Sequence, residues 1–170
     1  MEAGHRAGHL GPGRRQDRQP APHRPARGRT SVKVLLDPSA LVKRYLAEPG
    51  REAVQAALAQ AHQVAVAAHC KAELVSALTA HRDALPEAEL LRLLGLLQAD
   101  FDDFERVALD RKVEALSQAL LLRHARLPAS DALHLAAAQA CGADRFVTAD
   151  RRQAQAAQQE GLKTLLIEEA

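Results

Sequence analysis

The apolar positions of this chain fall into short runs, several of which end at a lone acid. Val32-Lys33-Val34-Leu35-Leu36 reads as a strand over about 33–36 that stops at Asp37, and Pro38 then suits the first turn of a helix. Pro49-Gly50 breaks that helix, and a second is expected from about 51 to 61. Val64-Ala65-Val66 reads as a strand, and a helix from about 70 to 83 places Leu74, Val75 and Leu78 on one face. Pro86 opens a leucine-rich helix carrying Leu90, Leu91, Leu93, Leu94, Leu96 and Leu97, more apolar than one buried stripe requires. Phe104–Leu109 reads as a strand, and Asp110 is placed to cap a helix running to Arg126. Ser130 is expected to cap a helix through Ala140 that Gly142 stops. Arg145–Thr148 is a strand, 150–160 a helix and 162–167 a last strand.

Strands that alternate with helices predict an α/β fold, a three-layer α/β/α sandwich around a small, mostly parallel sheet. Composition refines this picture. Hydrophobic residues make up 47% of the chain but aromatics only 2%, so the core must be built from Ala, Leu and Val. No apolar run approaches the roughly 20 residues of a membrane span, and the N-terminus lacks the apolar stretch of a secretory signal. Cys70 and Cys141 show no CxxC or Cys/His ligand spacing and are read as reduced, buried residues, which fits a cytoplasmic protein.

Residues 1–30 hold seven arginines against Glu2 and Asp17, are rich in Gly and Pro, and have no apolar period. A disordered tail is expected there, with His5, His9 and His23 solvated, ahead of a folded domain over 31–170. Removing the tail turns the net charge of +2 into −3 for the remainder. The domain therefore lacks the overall basic footprint of a protein that grips nucleic acid by counterion release.

Four acids stand at the borders of apolar segments: Asp37 after the first strand, Asp150 after Arg145–Thr148, and Glu73 and Asp131 near helix starts. In a parallel α/β sheet such positions converge outside the carboxyl ends of the strands. Carboxylates gathered there repel by about 3 kcal/mol per pair at about 5 Å and an effective dielectric near 20. A multivalent cation relieves this, which points to a Mg²⁺ or Mn²⁺ site and to phosphoryl chemistry. Asp144 is a fifth candidate, but it precedes its strand and belongs at the opposite edge.

The segments around these acids carry a specific resemblance. Leu36-Asp37-Pro38-Ser39-Ala40-Leu41-Val42-Lys43-Arg44-Tyr45 resembles the opening of a PIN domain, in particular of the VapC-type toxins of toxin–antitoxin pairs. Lys71-Ala72-Glu73-Leu74-Val75-Ser76-Ala77-Leu78, Ser130-Asp131-Ala132-Leu133-His134-Leu135-Ala136-Ala137-Ala138 and Phe146-Val147-Thr148-Ala149-Asp150 resemble the later motifs of that family, in the same order. The resemblance implies a Mg²⁺- or Mn²⁺-dependent endoribonuclease with Asp37, Glu73, Asp131 and Asp150 as catalytic and metal-binding acids. It also implies support from Ser39 and Thr148, a small cognate antitoxin, and a homodimer. Pro38 departs from the small hydroxylated residue usual in the family.

Lys43, Arg44, Arg151 and Arg152 follow the first and fourth acids and are candidate RNA contacts. His134 shares a helix face with Asp131 and is expected to be packed or partner-facing; His69-Cys70 has no second ligand pair at useful spacing, which speaks against zinc. Other hydrolase classes fit poorly, because Ser39 occupies the place of a phosphatase's second Asp and no GxSxG elbow is present. The alternative is a catalytically silent PIN-like interaction module, and convergence of the acids with a polar shell is what separates the two.

Overall fold

Alternation along the first strand divides the core in two: Val34 and Leu36 point into one apolar layer and Leu35 into the other. The computed structural model describes Met1 and residues 32–168, so the expected tail over 1–30, Met1 apart, lies outside the described residues. In chain order the elements are β1 (Lys33–Leu36), α1 (Pro38–Tyr45), α2 (Arg51–Gln60), β2 (Gln63–Ala67), α3 (Cys70–Ala80) and α4 (Glu87–Asp103). There follow β3 (Glu105–Val107), α5 (Arg111–Arg123), α6 (Ala129–Cys141), β4 (Arg145–Thr148), α7 (Arg151–Gln159) and β5 (Thr164–Leu166).

The five strands form one sheet in the order β3-β2-β1-β4-β5, and every pairing is parallel. The mostly parallel sheet expected from sequence is thus wholly parallel. Helices α1 to α4 bury Leu41, Val54, Leu74, Leu78, Leu93, Leu97 and Phe101 on one face. Helices α5 to α7 bury Val113, Leu120, Leu135, Ala136 and Ala157 on the other. Residues buried from both sides explain why the strands read as continuous apolar runs. With so few aromatics, close approach of alanine-rich helices fills these layers. α6 alone buries Ala132, Ala136, Ala137 and Ala138.

The direction of travel across the sheet matters most for function. From β1 the chain steps outward to β2 and β3, then returns to the other side of β1 to lay down β4 and β5. The strand order therefore reverses between β1 and β4, which opens a crevice at their carboxyl ends. Asp37 follows β1 and Asp150 follows β4, so both flank this crevice.

Two local expectations differ, those for Ser130 and Cys141, while the leucine surplus of α4 is as expected. α6 begins at Ala129 behind Pro128, so Ser130 lies inside the helix and Pro128 occupies the cap position without a side-chain bond. Proline before a helix already sets an extended entry, which removes the need for a hydroxyl cap. Cys141 is only partly buried, because it sits on the last turn of α6; Cys70 is fully buried, and both are free. In α4 only Leu93 and Leu97 of the six leucines are fully buried, and Leu91 is 62% exposed. Gly50 is required where it stands: its φ is +91°, and a Cβ there would come within 2.6 Å of Ile167 Cγ2. Among the described residues no helix is long and apolar enough to cross a membrane.

Candidate active site

Asp37 is buried at the N-cap of α1, where its Oδ2 accepts from the backbone N–H of Ser39 at 3.0 Å and from Ser39 Oγ at 2.5 Å. Thr148 Oγ1, on β4, lies 3.4 Å from the same oxygen and 3.2 Å from Ser39 Oγ. Ser39 Oγ in turn accepts from the N–H of Ala149 at 3.0 Å. These bonds stitch the end of β1 to the end of β4. Pro38 has no N–H to offer this carboxylate, and the adjacent donors are those of Ser39. Burying a carboxylate without such donors is expensive, and this shell makes Asp37 tolerable.

The other oxygen is held by a residue that sequence reasoning missed. Gln153, fully buried on α7, donates from Nε2 to Asp37 Oδ1 at 2.9 Å while its Oε1 accepts from Thr148 Oγ1 at 2.5 Å. Asp150 caps α7 by accepting from the N–H groups of Arg152 and Gln153 at 2.7 and 3.0 Å. Asp131 stands half-buried in the first turn of α6, and its carboxyl is pushed up to about 6 by burial and by the negative charge of Asp37 and Asp150. The charge of Asp37 and Asp150 thus reaches Asp131, but among the described residues the ligand-capable group found within 4.8 Å of one another is a different one, His69, Glu73 and His134.

Glu73 joins it through a histidine. His134 Nε2 is 2.7 Å from Glu73 Oε2 and 3.9 Å from Asp37 Oδ1, so the imidazole stands between the two acids. His134 is buried, and it is packed into the site itself rather than on an outer face. His69 stacks on it with ring centroids 4.2 Å apart, and its Nε2 lies 3.9 Å from Glu73 Oε2. Hydrogen bonding and charge from His134, with further charge from His69, outweigh burial and draw the Glu73 carboxyl below its usual value. Burial, with the neighbouring His134, draws His69 below the ordinary imidazole value. His69 Nε2 and His134 Nδ1 are both buried without a hydrogen-bond partner, an arrangement costing about 1–3 kcal/mol per atom. His134 was visible in sequence as the residue one helical turn after Asp131. Gln153 and His69 gave no comparable signal.

The basic candidates separate. Lys43 is buried with its Nζ 3.5 Å from Glu48, and Arg44 makes a two-pronged bond to Asp100 at 2.7 and 2.9 Å that ties α1 to α4. Arg151 and Arg152 are exposed on the first turn of α7, with Arg152 Nη2 3.6 Å from Asp150 Oδ2. Asp144 is at the opposite edge of the sheet, accepting from the N–H of Lys33 at 2.7 Å.

The family model of the PIN domain matches residues 34–159, which includes all four acids. The chain belongs to the PIN-domain family. Solved structures with this PIN fold include a toxin–antitoxin complex from Klebsiella pneumoniae, 21% identical, covering 69% of this chain and 86% of that one at a TM-score of 0.53. FitAcB from Neisseria gonorrhoeae is 20% identical, with 78% of this chain and 96% of that one covered at 0.59. VapBC2 from Rickettsia felis, bound to a DNA fragment from its promoter, is 14% identical, with 81% and 100% covered at 0.60. No curated protein matches the sequence. PIN domains generally use divalent metal, and this PIN domain offers oxygen donors on Asp37, Asp131 and Asp150 with Glu73 alongside.

Proposed function

We propose that this PIN domain is a Mg²⁺- or Mn²⁺-dependent endoribonuclease and the toxin of a toxin–antitoxin pair. What supports the reading is Asp37 and Asp150 flanking the crevice between β1 and β4, with Asp131 near enough for their charge to raise its carboxyl and Glu73 linked to Asp37 through His134. The donor set fits a hard dication: it is rich in carboxylate oxygen, and the raised Asp131 carboxyl marks a lack of positive charge at that spot. The aspartates would hold the ion, with Glu73 as a further donor. A bound ion supplies an activated water and neutralises charge gathering on the scissile phosphate.

The chain's own residues do the positioning. Ser39 and Gln153 lock the Asp37 carboxylate before substrate arrives, with Thr148 orienting the Gln153 amide, so little reorganisation is left for the reaction. Arg151 and Arg152 offer exposed cations beside Asp150 for neighbouring RNA phosphates. Hydrolysis by such a centre leaves 5′-phosphate and 3′-hydroxyl ends.

Toxin–antitoxin complexes among proteins of this fold support the partner assignment. A small antitoxin that inserted an Arg or Lys among these carboxylates would inhibit by supplying a cation without Lewis acidity. The surplus leucines of α4, Leu91 foremost, support a homodimer, and an RNA substrate fits the cytoplasm. Asp37→Asn and Asp131→Asn should each abolish cleavage of RNA by the purified chain, and EDTA should do the same to the unmodified protein. Full activity in both variants overturns the reading. Sequencing 5′-phosphate ends after brief expression identifies the RNA that is cut.

A further inference from the structure

His69, Glu73 and His134 each place a ligand-capable atom within 4.8 Å of the other two. Two different helices supply them, and the local geometry is specific. His69 precedes α3 with nearly helical angles, φ −86° and ψ −11°, so it lies one turn below Glu73 on the same face. His134 reaches the pair from α6. The separations from Glu73 Oε2, 2.7 Å to His134 Nε2 and 3.9 Å to His69 Nε2, straddle the ~3.3 Å between ligands of a tetrahedral ion with bonds of about 2.0–2.1 Å.

One unpartnered nitrogen sets this group apart from an ordinary acidic cluster. Nε2 of His69 is buried, makes no hydrogen bond and lies 3.9 Å from Glu73 Oε2, the oxygen to which the almost wholly buried His134 presents its Nε2. A histidine kept only for packing would bond such an atom or give way to an apolar side chain.

We infer that His69, Glu73 and His134 form a binding site for a borderline transition-metal dication of the Zn²⁺ or Co²⁺ class, chemically distinct from the neighbouring all-oxygen aspartate site. Imidazole nitrogen favours such ions over Mg²⁺, which keeps to oxygen. On binding, the ion takes the place of the proton shared between His134 Nε2 and Glu73, and that proton passes to solvent. Glu73 then becomes common property: a transition metal on the histidines holds it away from a hard ion on the aspartates.

Binding is read without RNA, so the outcome is independent of whether the aspartates cut anything. The probe is Co²⁺ alone, followed by its visible ligand-field absorption, and then Zn²⁺ alone by calorimetry. Both use the full chain with His5, His9 and His23 replaced by Ala in every sample. One ion should bind per chain, excess Mg²⁺ should fail to displace it, and His69→Ala and His134→Gln should each weaken it by at least about ten-fold. Asp131→Asn should leave it within about two-fold. His69→Gln, which keeps bulk at a partly exposed position, serves if a variant melts early. Binding unchanged in the histidine variants, or displaced by Mg²⁺, or lost in Asp131→Asn alone, overturns the inference, as does absence of binding to the unmodified site.

Discussion

Gln153 donates to Asp37 Oδ1 at 2.9 Å across 116 residues of chain, and the same side chain accepts from Thr148. An amide suits this place because it offers a donor to one neighbour and an acceptor to the other. Gln153→Ala should leave Asp37 Oδ1 without its donor in a buried setting and destabilise the domain by about 1–3 kcal/mol. Gln153→Glu should be worse, since it sets a second carboxylate against the first. Chemical denaturation of both variants, with RNA cleavage assayed alongside, tests the ordering; equal stability of all three proteins would refute it.

Asp131 makes stability depend on pH and on metal. Its folded pKa of about 6 lies above the ordinary value of 3.8, so between those values the folded chain holds more protons than the unfolded one. Stability should therefore fall as pH rises from about 4 through about 6. Asp131→Asn should remove this fall and exceed the unmodified protein by about 1–2 kcal/mol at pH 7 while matching it near pH 4. Mg²⁺ should raise the melting temperature of the unmodified protein more than that of the variant. Thermal melts across this range decide the matter.

Glu160 provides the opposite sign. Arg123 grips both of its oxygens at 2.8 and 2.7 Å and His124 adds a third contact at 2.8 Å, which pulls the carboxyl down to about 2 from 4.5. This stabilisation is present above about 4.5 and is lost as pH falls toward 2. Glu160→Gln should cost about 1–2 kcal/mol at pH 7, allowing for solvent screening, and the deficit should shrink over that window. A deficit constant from pH 7 to pH 2 would count against the ion pair as its cause.

Gly50 combines a left-handed backbone with a crowded side. Gly50→Ala must adopt φ near +91° and press a methyl against Ile167, just beyond β5. A loss of about 2–4 kcal/mol is expected. Hydrogen exchange should show the β5 edge loosening first, and a neutral outcome would mean that this corner yields more readily than its packing implies.

The sheet was largely legible in the sequence, because strands buried on both faces leave unbroken apolar runs such as Val34–Leu36 and Phe146–Val147, and Pro38 and Gly142 mark helix boundaries. The four acids were legible through their motifs. What escaped was whatever depended on neighbours distant in the chain. Gln153 looks like any glutamine of a polar helix until β1 and β4 pair. His69 lacks a second ligand in sequence because His134 comes from another helix, and the fold alone brings their rings together. Lys43 and Arg44 read as candidate RNA contacts, yet Glu48 and Asp100 hold them.

Because β1 sits at the centre of the sheet and β4 is paired to it late, the two halves of the acid cluster are made at opposite ends of synthesis. A growing chain that has not yet emitted residues 145–153 has Asp37 without Thr148, Asp150 or Gln153, and Oδ1 of its first carboxylate lacks the Gln153 donor. Timing is therefore built into the topology. If the proposed cleavage of RNA is its activity, a chain assembled in this order is inert beside the messenger and ribosome that are making it, and chains stalled before residue 145 should cut nothing.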